Sequence, residues 1–235
     1  MKKLVVLSGA GISAESGIST FRDSGGLWEN YNIEEVASIE GWYANPSLMV
    51  DFYNQRRAQL EQCEPNKAHY IIAELEKDFK VSVVTQNVDN LHERAGSTNV
   101  IHLHGELTKV CSEKEKKGIR DIGYRSLTYG EKAEDGTLLR PFIVWFGEEV
   151  PLLEKAIEEV SDADYLLIIG TSLNVYPAAS LYLYARSDTP VYLIDPNETQ
   201  PVSRNVKVIR EKATSGMEKF RDIILTDKLN PSGYI

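Results

Sequence analysis

Cysteine is scarce: the 235 residues contain only Cys63 and Cys111. A disulfide framework is therefore excluded, and with no export signal a reducing, cytoplasmic setting is expected. Basic runs are missing as well. Nothing exceeds the short KEKKGIR, in a chain whose 35 Asp and Glu outweigh 26 Lys and Arg to give a net charge of −9. Affinity for nucleic acid needs many Lys and Arg contacts to phosphate, so no nucleic-acid partner is expected. Long apolar runs are absent too. In MKKLVVLSGAGIS the run spans only Leu4 to Leu7 before a serine and glycines, too short for a secretion signal. No stretch approaches a membrane span, so no membrane association is expected. No internal repeat or low-complexity segment is present, and a monomer is expected.

What remains is an ordinary globular composition, 42% apolar and 26% charged, with 9 prolines and 16 glycines. The length suits one large domain, or one domain carrying a smaller insertion. KKLVVLSGAGISAESGIS reads as a buried strand, a glycine turn and a helix start. Residues 46–62 read as a helix with Pro46 in its first turn, and NKAHYIIAELEKD as a second helix with Asn66 as its cap. VSVVTQ is a second buried strand and NVIHLHG a third. Residues 108–140 read as a polar, irregular excursion with almost no apolar core of their own. FIVWFGEE, DYLLIIGTS, PVYLIDP and VKVIRE read as strands, and PLLEKAIEEVSDA, VYPAASLYLYARS and SGMEKFRDIILTDKL as helices. Buried strands alternating with helices predict an α/β fold, a doubly wound parallel sheet whose ligands sit at the C-terminal strand ends.

Those strand ends carry chemistry. GAGISA places Gly9, Gly11 and Ala14 at the spacing G-x-G-x-x-A, which lets a backbone approach a pyrophosphate. Taken alone, this serves equally well as a tight turn with no ligand. A simple dinucleotide-binding unit would also place its next strand within about 30 residues, whereas here it begins at Val81, which weakens a dehydrogenase reading. Gln86, Asn87 and Asp89 cluster after the valine run, more polar groups than a helix cap requires. In a strand His102 and His104 share one face, with Leu103 on the other. GTSLNVYP and IDPNE supply two more polar ends, and five on one sheet edge favour a bound dinucleotide.

Five blocks, GAGISAESGISTFRDSGGLW, TQNVDNLHERAG, HLHGEL, RPFIVWFGEEVP and GTSLNVYPAA, together resemble the sirtuins, NAD-dependent protein lysine deacylases, in that family's order and over nearly the whole chain. The resemblance implies a Rossmann-like NAD-binding domain from residues 1–28, 72–107 and 141–235, with a smaller inserted domain from residues 29–71 and 108–140. It implies that Gly9, Ala10, Gly11, Ser13, Ala14, Phe21, Arg22 and Trp28 line the NAD pocket. Gln86, Asn87, Val88 and Asp89 would face nicotinamide and its ribose, with Asn87 and Asp89 catalytic. Gly170, Thr171, Ser172, Asp195, Pro196, Asn197 and Ala213 would hold the adenosine half. Asp195 stands where the family often has Asn, and suits acceptance of ribose hydroxyls. His104 matches the catalytic base, and a histidine titrates near working pH. NAD would be consumed, giving nicotinamide, O-acyl-ADP-ribose and free lysine. Val144, Trp145, Phe146, Gly147 and Glu148 match the edge that pairs with an acyl-lysine peptide of another protein.

On the helix over 46–62, Met49, Tyr53, Arg56 and Leu60 fall on one face, so Arg56 stands where an apolar residue is expected, and Arg57 points about 100° away. An inward guanidinium needs an anionic partner, either a substrate carboxylate or an internal Asp or Glu. In the family Tyr-x-x-Arg marks acceptance of succinyl- or malonyl-lysine, and a small residue such as Ala37 leaves room for the larger acyl chain. Most sirtuins also hold a structural zinc on two Cys-x-x-Cys pairs. Here Cys111 has no cysteine or histidine companion before Arg140, and a tetrahedral site needs four ligands, so no zinc is expected. Ile119, Ile122, Tyr124, Leu127 and Tyr129 are expected to pack in its place. A silent NAD sensor would not need His104 together with Asn87 and Asp89. An ADP-ribosyltransferase would use the same pocket with another acceptor.

Overall fold

The computed structural model describes residues 1–18, 31–114, 116–171, 173, 175–197 and 206–229. Strands β1 (Lys3–Ser8), β2 (Lys80–Thr85), β3 (Val100–His102), β7 (Tyr165–Ile169), β8 (Val191–Ile194) and β9 (Val206–Ile209) form one sheet in the order β3-β2-β1-β7-β8-β9. Every pairing is parallel, with Leu4 opposite both Val81 and Tyr165. The central strands are continuous β-branched and leucine runs because both their faces are covered. Leu4 and Val6 join one core with Val83, Leu167 and Tyr192, under helices α4 (Lys67–Glu74) and α7 (Ala213–Leu229). Val5 and Leu7 point into the opposite core with Ile168 and Leu193, under α6 (Leu153–Ser161) and a 3-10 segment, Ala178–Tyr184. That segment was expected as an α-helix; it follows Pro177 and a cis Tyr176–Pro177 bond. Strand order reverses between β1 and β7, which opens the ligand crevice of a doubly wound sheet outside their carboxyl ends.

The second part of the molecule is a three-stranded antiparallel sheet, β5-β4-β6, from β4 (Gly105–Ser112), β5 (Arg120–Asp121) and β6 (Leu139–Ile143). Residues 108–140 are thus not an irregular excursion. Their sheet has a core because α1 (Ile33–Val36), α2 (Ile39–Ala44) and α3 (Pro46–Glu61) bring Trp42, Met49, Phe52, Tyr53 and Leu60 against Leu107, Val110, Leu127, Leu139 and Ile143. Ile122 and Tyr124 pack on this cluster as expected, but Ile119 and Tyr129 are 50% and 49% exposed and do not.

Helix α3 starts where Asn45 caps Leu48 N (3.1 Å) and Pro46 fixes the first turn. Its surprise is Arg57, expected to point away from the inward face and instead fully buried. The guanidinium donates to the Leu107 carbonyl (3.0 Å) and to Asn54 Oδ1. Asn54 in turn donates to the Leu127 carbonyl and accepts from its N–H, both at 2.9 Å. Burial drops the Arg57 pKa to about 10, which still leaves it charged at neutral pH. This polar bracket makes an inward arginine tolerable.

Two boundaries read from the sequence cut elements. The one between 71 and 72 falls inside α4, whose Ala68, Ile71 and Ile72 belong to the large-sheet core, and the one between 107 and 108 falls inside β4. Among the described residues no helix is long and apolar enough to cross a membrane.

Candidate functional site

The site grows from the carboxyl ends of β1, β2 and β7. Beyond β1 the chain turns through two short 3-10 segments, Ala10–Ile12 and Ala14–Ser16, where a helix start was expected. Backbone bonds stitch this turn to the end of β7: Gly9 N donates to Ile169 O (3.1 Å) and Gly11 N to Gly170 O (2.8 Å). A Cβ on Gly11 would lie 2.7 Å from Gly170 Cα, and one on Gly170, whose φ is +64°, would lie 2.2 Å from Ile12 N. Glycine at both positions lets the two turns touch. The Asn66 amide secures the turn from behind, donating to Ile12 O (2.7 Å) and Ser16 Oγ (3.0 Å) while its own oxygen caps α4 at Ala68 N.

Beside this turn lies a buried polar cluster. Ser13 Oγ donates to Asp89 Oδ2 (3.0 Å) and accepts from Asn87 Nδ2 (3.1 Å), while Leu91 N donates to Asp89 Oδ1 (3.1 Å). Asn87 and Asp89 are 7% and 5% exposed. Burial raises the Asp89 pKa, and its bonds from Leu91 and Ser13 and the nearby His102 oppose that rise. Gln86 Nε2 reaches Thr171 Oγ1 at 3.3 Å, joining the β2 end to the β7 end. Beneath, Asn87 N donates to Thr85 Oγ1, which also accepts from Ser8 Oγ; His92 Nε2 is 3.0 Å from that serine oxygen.

His104 follows β3 in a turn, with Nδ1 3.1 Å from the Gln86 carbonyl. A carbonyl only accepts, so Nδ1 carries the proton and Nε2 is left as the basic nitrogen. Burial lowers the His104 pKa, against the raising effect of the Gln86 bond, so the neutral base persists to lower pH. On the far side, Asp195 at the end of β8 is 8% exposed and accepts from Asn197 N (2.8 Å). Exposed Pro196 lies between them, and buried Ala213 opens α7. Phe21, Arg22, Trp28 and Ser172, also expected here, lie outside the described residues.

The expected peptide edge is not the regular strand that FIVWFGEE suggested: β6 ends at Ile143. Beyond it Val144 N donates to His104 O, Phe146 N to Ala37 O and Ile39 N to Phe146 O. Trp145 N donates to Glu148 Oε2 and Glu148 N to Trp145 O. These N–H groups are engaged, and the Trp145 and Phe146 carbonyls already accept from Glu148 N and Ile39 N. Phe146 is 52% exposed, but Trp145 and Glu148 turn inward. Glu148 takes a bidentate bond from buried Arg140 (2.8 and 2.9 Å), whose guanidinium carbon lies 3.5 Å from the Trp145 ring centroid. The opposite charges bracketing this apolar segment were the available sequence signal for the pair.

Trp145 Nε1 donates to the Tyr53 hydroxyl (2.9 Å), and the Arg56 guanidinium carbon lies 5.6 Å from the Tyr53 ring centroid. Arg56 keeps partial solvent access, yet its head group sits deep enough for desolvation to lower its pKa. Tyr53 is buried with its pKa raised, chiefly by desolvation. Ala37 is buried in the same core as Tyr53. Val88 also packs on that core.

Cys63 and Cys111 are both buried and unpaired. Burial pushes the Cys111 thiol up to about 11, away from the thiolate form a metal requires. Among the described residues no group of three or more His, Cys, Asp or Glu is arranged to hold a metal ion.

Residues 9–177 match the model of the Sir2 family. An NAD-dependent protein deacylase of Bacteroides thetaiotaomicron is 54% identical over 96% of this chain and 99% of its own length. One from Helicobacter pylori is 56% identical over 93% of each chain. A solved Sir2 homologue in complex with NAD superposes with a TM-score of 0.86 at 39% identity, covering 97% of this chain and 91% of its own. A doubly wound sheet with its polar cluster at the switch point, and a match running through every block that builds that cluster, lead to one assignment: the chain belongs to the Sir2 family.

Proposed function

We propose that the protein removes acyl groups from lysine side chains of other proteins at the expense of NAD, and that it accepts succinyl and malonyl groups as well as acetyl. The observation that carries the reading is the pairing of a neutral His104, its Nε2 free to take a proton, with the buried Ser13–Asn87–Asp89 cluster beside two touching glycine turns. The cluster's amide, hydroxyl and carboxylate suit the nicotinamide amide and ribose hydroxyls. Asp195 suits the second ribose. The closely apposed backbone of Gly9, Gly11 and Gly170 suits a diphosphate.

In this chemistry the acyl-lysine carbonyl oxygen attacks C1′ of the nicotinamide ribose as nicotinamide leaves. His104 then takes a proton from a ribose hydroxyl, whose oxygen attacks the acyl carbon; the lysine nitrogen leaves as the free amine, a water supplies the remaining oxygen and proton, and the acyl group departs on ADP-ribose. NAD is a substrate, and no hydride is transferred. The deacylase names of the Bacteroides and Helicobacter relatives support the reaction class. The acyl preference is supported by Tyr53 and Arg56, whose guanidinium carbon lies 5.6 Å from the Tyr53 ring centroid, and by buried Ala37 in the same core as Tyr53. A guanidinium with a phenol beside it matches a carboxylate terminus. The small domain is held by packing and by the Arg57–Asn54 bracket, with no zinc.

Mass spectrometry of protein, NAD and acetyl or succinyl peptide tests both levels. Loss of the acyl mass is expected, whereas gain of ADP-ribose on protein or peptide indicates transfer. Arg56→Met should lower succinyl turnover at least tenfold relative to acetyl, and an equal loss on both removes the carboxylate-reader assignment.

A further inference from the structure

His102 is left out of the chemistry above, yet it is 7% exposed and bonded at both ring nitrogens. Nδ1 lies 2.9 Å from the Asn87 carbonyl, and Nε2 lies 2.7 Å from Glu93 Oε1 on α5 (Leu91–Arg94). A carbonyl and a carboxylate are both pure acceptors. Making both bonds requires a proton on each nitrogen, so the geometry holds the ring as an imidazolium. Its bond to Asn87 adjoins the one His104 makes to Gln86, so two histidines one residue apart grip two successive carbonyls of the 86–89 segment.

We propose that His102 is a positioning residue: as a cation locked by Glu93, it clamps the Asn87 carbonyl and so fixes the segment carrying Asn87 and Asp89 against NAD. The inference rests on the NAD reading above. The other charged groups around the clamp among the described residues are Glu106 and Lys109 on β4, bonded to each other at 2.7 Å, and Asp89 on the clamped segment; the titratable rings facing it are His92 on α5, beside His102, and His69 on α4, beside Glu93, both held neutral by burial. Burial works against the charged ring, but Glu93, the Asn87 carbonyl and Glu106 together outweigh it, so the His102 pKa is raised. When pH rises through that value one ring proton is lost. The remaining proton stays with the carboxylate, the stronger acceptor, and the bond to Asn87 is the one given up.

The test measures kcat and KM for NAD and for acyl-peptide against pH in the wild type, His102→Leu, His102→Gln and Glu93→Leu, with thermal melts alongside. His102→Leu should lose about tenfold to a hundredfold in kcat/KM for NAD, with KM for peptide within twofold of wild type. His102→Gln, whose amide still donates to the Asn87 carbonyl, should recover most of that and lack the alkaline fall of the wild type. Glu93→Leu should move that fall to lower pH. A lower melting temperature with kcat/KM for NAD unchanged in all three variants reduces His102 to a structural role and overturns the proposal. If His102→Leu does not fold, His102→Gln and Glu93→Leu decide it: a pH profile identical to wild type in both overturns it. A wild-type protein inert towards NAD and acyl-peptide would overturn the underlying reading, and the clamp with it.

Discussion

The indole of Trp145 donates to the hydroxyl of Tyr53 across 92 positions of chain, at 2.9 Å. With an acceptor lone pair so occupied, the phenol proton is directed elsewhere, towards a group that accepts. Trp145→Phe keeps the ring stacked near Trp42 but deletes the donor. The expected result is a fall of about fivefold to tenfold in kcat/KM for succinyl-peptide with a smaller change for acetyl-peptide, the scale of one hydrogen bond. Side-by-side kinetics on the two peptides check it.

Arg140 and Glu148 form the most buried ion pair described, with side chains 1% and 8% exposed and Lys116 as a third member at 3.0 Å. Glu148→Ala strands a guanidinium between Trp42 and Trp145. A loss of about 3–5 kcal/mol is expected, enough to lower the melting temperature by roughly 10 °C in a chain of this size. Scanning calorimetry reads this directly.

His69 and His92 are packed edge to face at 4.9 Å, both buried, with His69 Nε2 and His92 Nδ1 lacking partners among the described residues. Desolvation is the main reason that the His69 pKa falls to about 4 and that of His92 far below its usual range. Their folded pKa values are depressed, so the unfolded chain binds protons at higher pH than the folded one. Stability is therefore full above about pH 6.5 and falls as pH drops towards 4, by about 3 kcal/mol for His69. Melting curves from pH 7.5 to 4 should show this slope, and His69→Gln should flatten it.

Gly170→Ala places a methyl group against backbone, and no rotamer change relieves it. The turn after β7 must move off the turn after β1. Loss of NAD affinity by at least tenfold is expected from calorimetric titration, while the sheet core, away from the substitution, keeps the far-ultraviolet circular dichroism unchanged.

The large sheet was legible because its strands are buried on both faces and so spell continuous apolar runs, and the polar strand ends announced the crevice. The small sheet was not, because its core is borrowed: Leu107, Val110 and Leu139 acquire apolar neighbours only when α1 to α3 arrive from elsewhere in the chain. On α3, periodicity picked out Met49, Tyr53 and Leu60 as buried, but it treats every arginine as a surface residue unless it falls on the stripe. Arg57 is inward because Asn54 and the Leu107 carbonyl supply acceptors no pattern of apolar residues encodes. The segment 144–148 has strand composition, yet the Trp145–Glu148 turn and the pairing of Phe146 with Ala37 and Ile39 take its backbone out of the sheet.

The contact of Gly11 with Gly170 joins two turns separated in sequence by the whole small domain. A nascent chain that has made β1, β2, β3 and the whole small domain still has only half of the crevice, and β7 must insert beside β1 before the other half exists. A ligand seated on both turns therefore gains its contacts with them only when β7 pairs with β1, and by binding only that arrangement it stabilises the paired sheet over its precursors by mass action.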